Sequence, residues 1–206
     1  MKKTILLLTA CLLFAPGAAG VANQNREYRV EIASIPATVD AFVAMRDKVA
    51  TTPEGGVAML LVALRMWETS RVEGTKALIV IMDMNLLQQN SGEYSYKGYG
   101  VGRSYEYMLG SASRNSPYVP SSYFPGTSPA NNYAMGSGPY RLEFTPHRHR
   151  PQNDVEHTLF VPSSGADSPR PVQVKKNDKG IWKAANFSSL LVGIRPPASA
   201  APVDEL

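Results

Sequence analysis

Residues 51–67 read TTPEGGVAMLLVALRMW, and this stretch decides the fold. Thr52 is suited to cap a helix, Pro53 to occupy its first position and Glu54 to lie near its positive end, so three neighbouring residues agree on where a helix begins. From Val57 to Trp67 the stretch is apolar on nearly every side. A helix of this kind is buried over most of its surface, which predicts that it lies at the centre of the domain.

Helical patterns flank this stretch on both sides. Thr38 is predicted to cap a preceding helix, and Ser70 to cap a following helix that runs from about Val72 to Gln88. The β-branched run Ile79-Val80-Ile81 leaves a strand open as an alternative within that segment. A fourth, short helix is predicted to begin at Ser104.

The chain changes character near residue 113. Residues 113–138 hold four prolines among many Gly, Ser and Asn residues, a composition that breaks long regular elements. Large aromatic side chains are interleaved with the prolines, which is not typical of a solvated linker. The segment is therefore predicted to be an ordered loop lying across the domain surface.

From Tyr140 onward the pattern alternates as it does in strands. The predicted strands are residues 140–144, 157–161, 171–175 and 181–184. The last two flank a hairpin turn at 177–180. Helices followed by an antiparallel sheet predict an α+β fold, with N-terminal helices packed on a C-terminal antiparallel β-sheet.

The predicted domain organisation is simple. Residues 35–197 are expected to form one α+β domain, which is an ordinary size for a single domain. Residues 21–34 are interpreted as an N-terminal extension and residues 198–206 as a disordered C-terminal tail.

Residues 1–20 have the layout of a cleavable signal peptide. Lys2 and Lys3 precede an uncharged apolar run, which Pro16-Gly17 end before a tract of small residues. The run is shorter than the about 20 apolar residues that a membrane span needs, so an exported periplasmic or extracellular protein without a membrane span is predicted. Leu8–Cys11 is similar to a lipobox, which leaves a lipid anchor on Cys11 as the alternative.

Charge and cysteine content exclude several classes of function. The chain has 21 Lys and Arg against 17 Asp and Glu, a net charge of +4, and two of these cations would leave with the signal peptide. The basic residues are scattered, whereas nucleic-acid binders concentrate them on one face, so no nucleic-acid partner is predicted. Cys11 is the only cysteine, so the exported chain is predicted to have neither a disulfide nor thiolate chemistry.

Four separated motifs carry a resemblance: TTPEGG at 51–56, YKGYG at 96–100, SSGADSPRP at 163–171 and KNDKGIWK at 176–183. Together they resemble a secreted bacterial family known only as a domain of unknown function, over roughly residues 35–197. The resemblance implies no activity. The last motif is also similar to the final hairpin of domains like nuclear transport factor 2, which implies a curved sheet.

All three histidines, His147, His149 and His157, fall within eleven residues. On paired strands they would supply three nitrogen ligands to Zn²⁺ and leave one position open for water. Pro146 and Pro151 bracket the first two histidines, which favours an exposed basic loop instead. A metal-assisted, hydrolase-type enzyme with a sheet pocket is therefore the alternative function.

The favoured function is an exported binding or envelope-associated module, with an envelope protein, a peptide or a glycan as candidate partner. Aromatic rings offer flat amphipathic faces to such ligands, and Arg side chains grip anionic groups. The opposing interpretation is that the rings fasten the loop to the helices. No catalytic residue and no cofactor is predicted, and the candidate ligand-binding residues are Tyr118, Tyr123, Phe124, Tyr133, Arg148 and Arg150.

Overall fold

A computed structural model describes residues 28–200. The predicted signal peptide and Cys11 lie outside the described residues. The helices are α1 (Val39–Val49), α2 (Pro53–Thr69), α3 (Arg71–Ile81) and α4 (Arg103–Asn115). The strands are β1 (Arg29–Ile32), β2 (Leu87–Gln89), β3 (Tyr99–Val101), β4 (Tyr140–Glu143), β5 (Thr145–Pro146), β6 (Glu156–Val161), β7 (Arg170–Lys176) and β8 (Trp182–Asn186).

The strands form three antiparallel sheets within the described residues. The largest has the order β5-β6-β7-β8, and two smaller sheets pair β1 with β4 and β2 with β3. The helices are mostly N-terminal and the four-stranded sheet is C-terminal, so the α+β prediction is confirmed. The curvature of the sheet stays a prediction.

Helix α2 is the centre of the domain, as its sequence predicts. The Thr52 hydroxyl accepts a hydrogen bond from the Gly55 amide at 3.1 Å, which caps the helix at the predicted residue. Every residue of α2 is buried except Arg65, Glu68 and Thr69. Helices α1 and α3 and strands β1, β6, β7 and β8 pack around it. Within residues 28–200, no helix is both long enough and apolar enough to cross a membrane.

Helix α3 begins after its predicted cap, Ser70, but ends well before Gln88. The chain leaves the helix because it pairs with the large sheet. Met82 forms a parallel bridge with Ala184 of β8, and the Asp83 amide donates a hydrogen bond to the Ala184 carbonyl at 2.8 Å. Residues 79–81 are helical, so the strand alternative for them is wrong.

The hairpin between β7 and β8 forms at the predicted turn. The Gly180 amide donates to the Asn177 carbonyl at 2.9 Å, and Gly180 has φ +76°, a left-handed conformation that glycine adopts without strain. The Trp182 amide then donates to the Ala50 carbonyl at 2.8 Å, which joins the hairpin to the junction between α1 and α2.

The described parts of both predicted flanking segments, residues 28–34 and 198–200, form hydrogen bonds with the rest of the chain. Strand β1 lies within the predicted extension of residues 21–34, and it pairs with β4. Ala198–Ala200, at the start of the predicted tail, form a short helical turn. There the Ser199 hydroxyl donates a hydrogen bond to Asn132 Oδ1 at 2.8 Å.

Gly74 provides a test of the packing between α2 and α3. A Cβ atom at this position would lie 2.0 Å from the Trp67 backbone, so Gly74→Ala has to push the two helices apart. We expect the free energy of unfolding in urea to fall by about 1–3 kcal/mol, as is usual for overpacking.

Gly110→Ala in α4 is the matched control. The nearest atom to its added Cβ is the flexible end of Arg114 at 3.4 Å, so we expect a gain of about 0.5–1 kcal/mol from the stiffer backbone. Equal effects of the two substitutions would contradict the close approach of α2 and α3.

Candidate functional site

A cleft of ≈ 380 Å³ lies between α3, α4 and the loop that joins β2 to β3. Its volume falls in the range of sites that hold small ligands, about 300–1,000 Å³. The residues around it are both aromatic and charged. The lining consists of Trp67, Arg71, Thr75, Asn90, Gly92, Glu93, Tyr94, Val101, Glu106, Leu109, Gly110, Ser113 and Arg114.

Helical spacing explains which side chains reach this cleft. Glu106, Leu109 and Ser113 are three, four and seven residues apart along α4, so they share one face of that helix. Trp67 ends the buried part of α2, and Arg71 is the first residue of α3. The break between the two helices brings the Trp67 ring and the Arg71 guanidinium together on the opposite wall.

Arg71 is the central side chain of the cleft. Its guanidinium carbon lies 3.6 Å from the centroid of the Trp67 ring, and its Nη2 donates a hydrogen bond to Ser113 Oγ at 2.5 Å. Its Nη1 is buried and has no hydrogen-bond partner. The cation is therefore fixed in position, while part of its donor capacity is unused.

The surroundings of Arg71 compensate its charge only in part. Burial lowers the pKa of Arg71, and the nearby Glu68 carboxylate acts in the opposite direction. Burial raises the pKa of Glu68, against the hydrogen bond from Ser121 and the charge of Arg65. The Glu68 carboxylate also interacts with Ser121 and Arg65, so it neutralises the charge of Arg71 only in part. Arg71 would therefore still stabilise an anion in the cleft.

Opposite charges line the two ends of the α4 wall. Glu106 lies in the first turn of α4, whereas Ser113, which holds Arg71, and Arg114 lie in the last. Seven residues of helix separate Glu106 from Ser113, which is about 10.5 Å at about 1.5 Å per residue. Glu93 adds a second acid to the lining. The cleft can thus hold a ligand with a cationic and an anionic end.

The predicted aromatic residues lie elsewhere and pack inward. Tyr123, Phe124 and Tyr133 are only 5%, 2% and 3% exposed, and the rings of Tyr118 and Tyr133 stack with their centroids 5.1 Å apart. Three hydroxyls donate to carbonyls of the C-terminal segment: Tyr118 to Ile194 at 3.4 Å, Tyr123 to Leu190 at 2.7 Å and Tyr133 to Arg195 at 2.6 Å. These contacts fasten the loop to residues 190–195, and a ligand-binding role for the rings stays a prediction.

The three histidines do not converge. The His147 ring stacks on Phe160 at 4.9 Å, and the His157 ring packs edge-on against Trp182 at 5.2 Å. Residues 157 and 160 of β6 point to opposite faces because side chains alternate along a strand, so the sheet separates His147 from His157. No group of three or more metal-ligating side chains occurs within residues 28–200. The hypothesis of a His147, His149 and His157 zinc site therefore lacks its geometry.

The predicted basic edge lies beside the sheet. Arg148 and Arg150 are both exposed. Arg150 and His147 line a second, polar pocket of ≈ 200 Å³ together with Thr158 and Gln173 of the sheet. Arg148 is not part of that lining, and anion binding at this edge stays a prediction.

Sequence reasoning did not single out Arg71. One signal was present, because Arg71 occupies the first turn of a helix, where the helix dipole favours an anion and disfavours a cation. A cation at that position requires compensation from another source. Trp67 and Ser113 supply it, but the contact with Ser113 joins residues 42 positions apart and cannot be read from local sequence.

The chain thus has an α+β fold with a cleft lined largely by helix residues. The chain belongs to the family described as Domain of unknown function (DUF6935), whose model matches residues 34–198. This confirms the resemblance to a family without an assigned activity. No curated protein and no solved structure matches the chain.

Tyr123 tests whether the aromatic loop has a structural role. Burial raises the pKa of Tyr123, so its hydroxyl stays a donor to the Leu190 carbonyl across the usual pH range. Tyr123→Phe removes only that donor, and we expect the free energy of unfolding to fall by about 1–2 kcal/mol in urea denaturation.

Tyr107→Phe is the matched control for Tyr123→Phe, because the Tyr107 side chain is 73% exposed. We expect its effect to stay within about 0.5 kcal/mol of zero, as for other surface substitutions. If Tyr123→Phe is as mild as this control, the hydroxyl does not hold the C-terminal segment.

Proposed function

We propose that this chain is an exported binding protein whose cleft between α3 and α4 holds a short peptide with free termini. The observation that carries this proposal is the Arg71 guanidinium, which lines the cleft and is fixed by Trp67 and Ser113. A planar guanidinium with spare donors suits a carboxylate, which it can bind in a bidentate manner.

The spacing of charges supports a ligand of two or three residues. An extended chain spans at most about 3.3–3.6 Å per residue, so a tripeptide covers the about 10.5 Å between the first and last turns of the α4 face. Its carboxylate would lie at Arg71 and its ammonium group at Glu106. A neutral glycan has neither charge and gains nothing from this arrangement.

The remaining walls suit an apolar side chain in the middle of the peptide. Val101 and Leu109 are buried residues of the lining, and Trp67 adds an aromatic face. Tyr94, in the loop between β2 and β3, is 47% exposed and therefore has surface free to cover a ligand. Apolar walls with a few fixed polar groups are typical of small-ligand sites.

Isothermal titration calorimetry with three related peptides tests the proposal. We expect Ala-Phe-Ala with free termini to bind. The N-acetylated peptide and the C-terminally amidated peptide each lose one charge, and each should bind about 10–100-fold more weakly, since a hydrogen bond to a charged group contributes about 1.5–3 kcal/mol. A chitotriose probe should not bind. Equal affinity for the free and capped peptides would contradict the proposal.

Two substitutions test whether the peptide binds in the cleft. Arg71→Met removes the cation but keeps an unbranched side chain beside Trp67, and we expect it to weaken Ala-Phe-Ala binding about 10–100-fold. Arg103→Met removes an exposed cation at the start of α4 that lies outside the lining, and binding should not change. Thermal unfolding without ligand shows whether Arg71→Met is folded.

Export is tested separately by mass spectrometry of the protein from the native cell. We expect the mature chain to lack about the first 20 residues, as removal of the predicted signal peptide requires. A chain that begins at a lipid-modified Cys11 would instead support the lipoprotein alternative. An intact Met1 in the cytoplasm would contradict export.

A further inference from the structure

A separate groove, of ≈ 640 Å³, lies on the other side of the β2–β3 hairpin from the peptide cleft, where α1, α3 and the β7–β8 hairpin meet. Four cations line it: Arg46, Lys97, Lys179 and Lys183. Asp47 is the acid in the lining, and its Oδ1 lies 2.8 Å from Arg46 Nε. The groove therefore carries an excess of positive charge that its own acid does not balance.

Lys183 is a partly buried cation of the groove. Its Nζ donates a hydrogen bond to the Val80 carbonyl in the last turn of α3. Burial, followed by the charge of Arg46, lowers the pKa of Lys183 to about 8, although Asp83 and Asp47 act in the opposite direction. An anion placed in the groove would offset the repulsion between Lys183 and Arg46.

Apart from Asn177, the remaining residues that line the groove are apolar or aromatic. Its lining includes Val43 from α1, Ile79 from α3, Leu87 from β2 and Ile181 from the β7–β8 hairpin. Two further apolar side chains of the lining, Met84 and Tyr99, are 55% and 36% exposed. These two side chains extend the apolar floor of the groove to the solvent-exposed surface.

We propose that this groove binds an amphipathic anion, a single alkyl chain that carries a carboxylate or phosphate head group. The alkyl chain would cover Met84, Tyr99 and the apolar floor, and the head group would lie among Lys97, Lys179 and Lys183. Lysine side chains suit this arrangement because their stems pack along an apolar chain while their ammonium groups reach the head. This site is separate from the peptide cleft and does not depend on it.

Three dodecyl probes with different head groups test the charge requirement by isothermal titration calorimetry below their micelle concentrations. We expect dodecanoate and dodecyl phosphate to bind, and dodecyltrimethylammonium, which has the opposite charge, not to bind. The tighter of the two anions identifies the head group. Decanoate should bind about tenfold more weakly than dodecanoate, since it lacks two methylene groups. Equal binding of the cationic probe would overturn the proposal.

Two substitutions test whether dodecanoate binds in the groove. Lys183→Met should weaken dodecanoate binding about tenfold. Lys97→Asn should do the same, and Asn tolerates the left-handed backbone of this residue, which has φ +51°. The second variant keeps the test valid if Lys183→Met fails to fold.

Two control variants should leave dodecanoate binding unchanged. Lys48→Met removes an exposed cation of α1 that lies outside the groove, and Arg71→Met alters only the peptide cleft. If Lys48→Met weakens binding as much as Lys97→Asn, the attraction is a general effect of net charge and the proposed site is wrong.

Discussion

Burial of α2 on nearly every side is the constraint on which the rest of the structure depends. Each fully buried Leu, Met or Val side chain contributes about 1.5–3 kcal/mol, and α2 carries six of them between Val57 and Leu64. Two helices and four strands pack around it. Gly56 permits the close approach of β8, because a Cβ atom there would lie 2.8 Å from Trp182 Cβ and 2.9 Å from the Trp182 carbonyl oxygen.

The proposed peptide cleft lies where the central helix leaves the core. The three residues of α2 that are not fully buried, Arg65, Glu68 and Thr69, all lie in its C-terminal part, next to the start of α3. Trp67 is still packed in the core and gives Arg71 a rigid surface. The cation is therefore held by the same packing that stabilises the domain, and little ordering is needed when a ligand binds.

The β2–β3 hairpin connects the two proposed sites. Its connecting loop supplies Glu93 and Tyr94 to the peptide cleft, and Tyr96 and Lys97 to the basic groove. The hairpin is short and its residues are largely exposed, whereas six of the eleven residues of α3 beside it are buried. Few buried contacts imply a low local stability, so this hairpin has more freedom to adjust than α3.

The sequence predicted those elements that are determined by residues close to one another in the chain. The caps at Thr38, Thr52 and Ser70 and the turn at 177–180 each depend on residues within a few positions of one another. The early end of α3 depends on pairing with Ala184, about 100 residues away, and β1 depends on β4 in the same manner. No local pattern carries that information.

In the candidate site, too, the sequence indicated only features that depend on neighbouring residues. Composition does not distinguish an exposed aromatic residue from a buried one. The sequence of residues 113–138 therefore did not show that Tyr123 and Tyr133 face the core. Arg71 gains its importance from Trp67, which is near in sequence, and from Ser113, which is not. Binding is therefore a hypothesis from composition, and the position of the cleft required the three-dimensional contacts.

Native-state hydrogen exchange tests most directly whether α2 is the centre on which the domain depends. If it is, the amides of Val57–Leu64 exchange only when the whole domain unfolds, and their opening free energy equals the global free energy of unfolding from urea denaturation. The amides of β7 should exchange with the same free energy, because β7 packs on α2. Exchange of the α2 amides through a local opening, while β7 stays protected, would contradict a central role for α2.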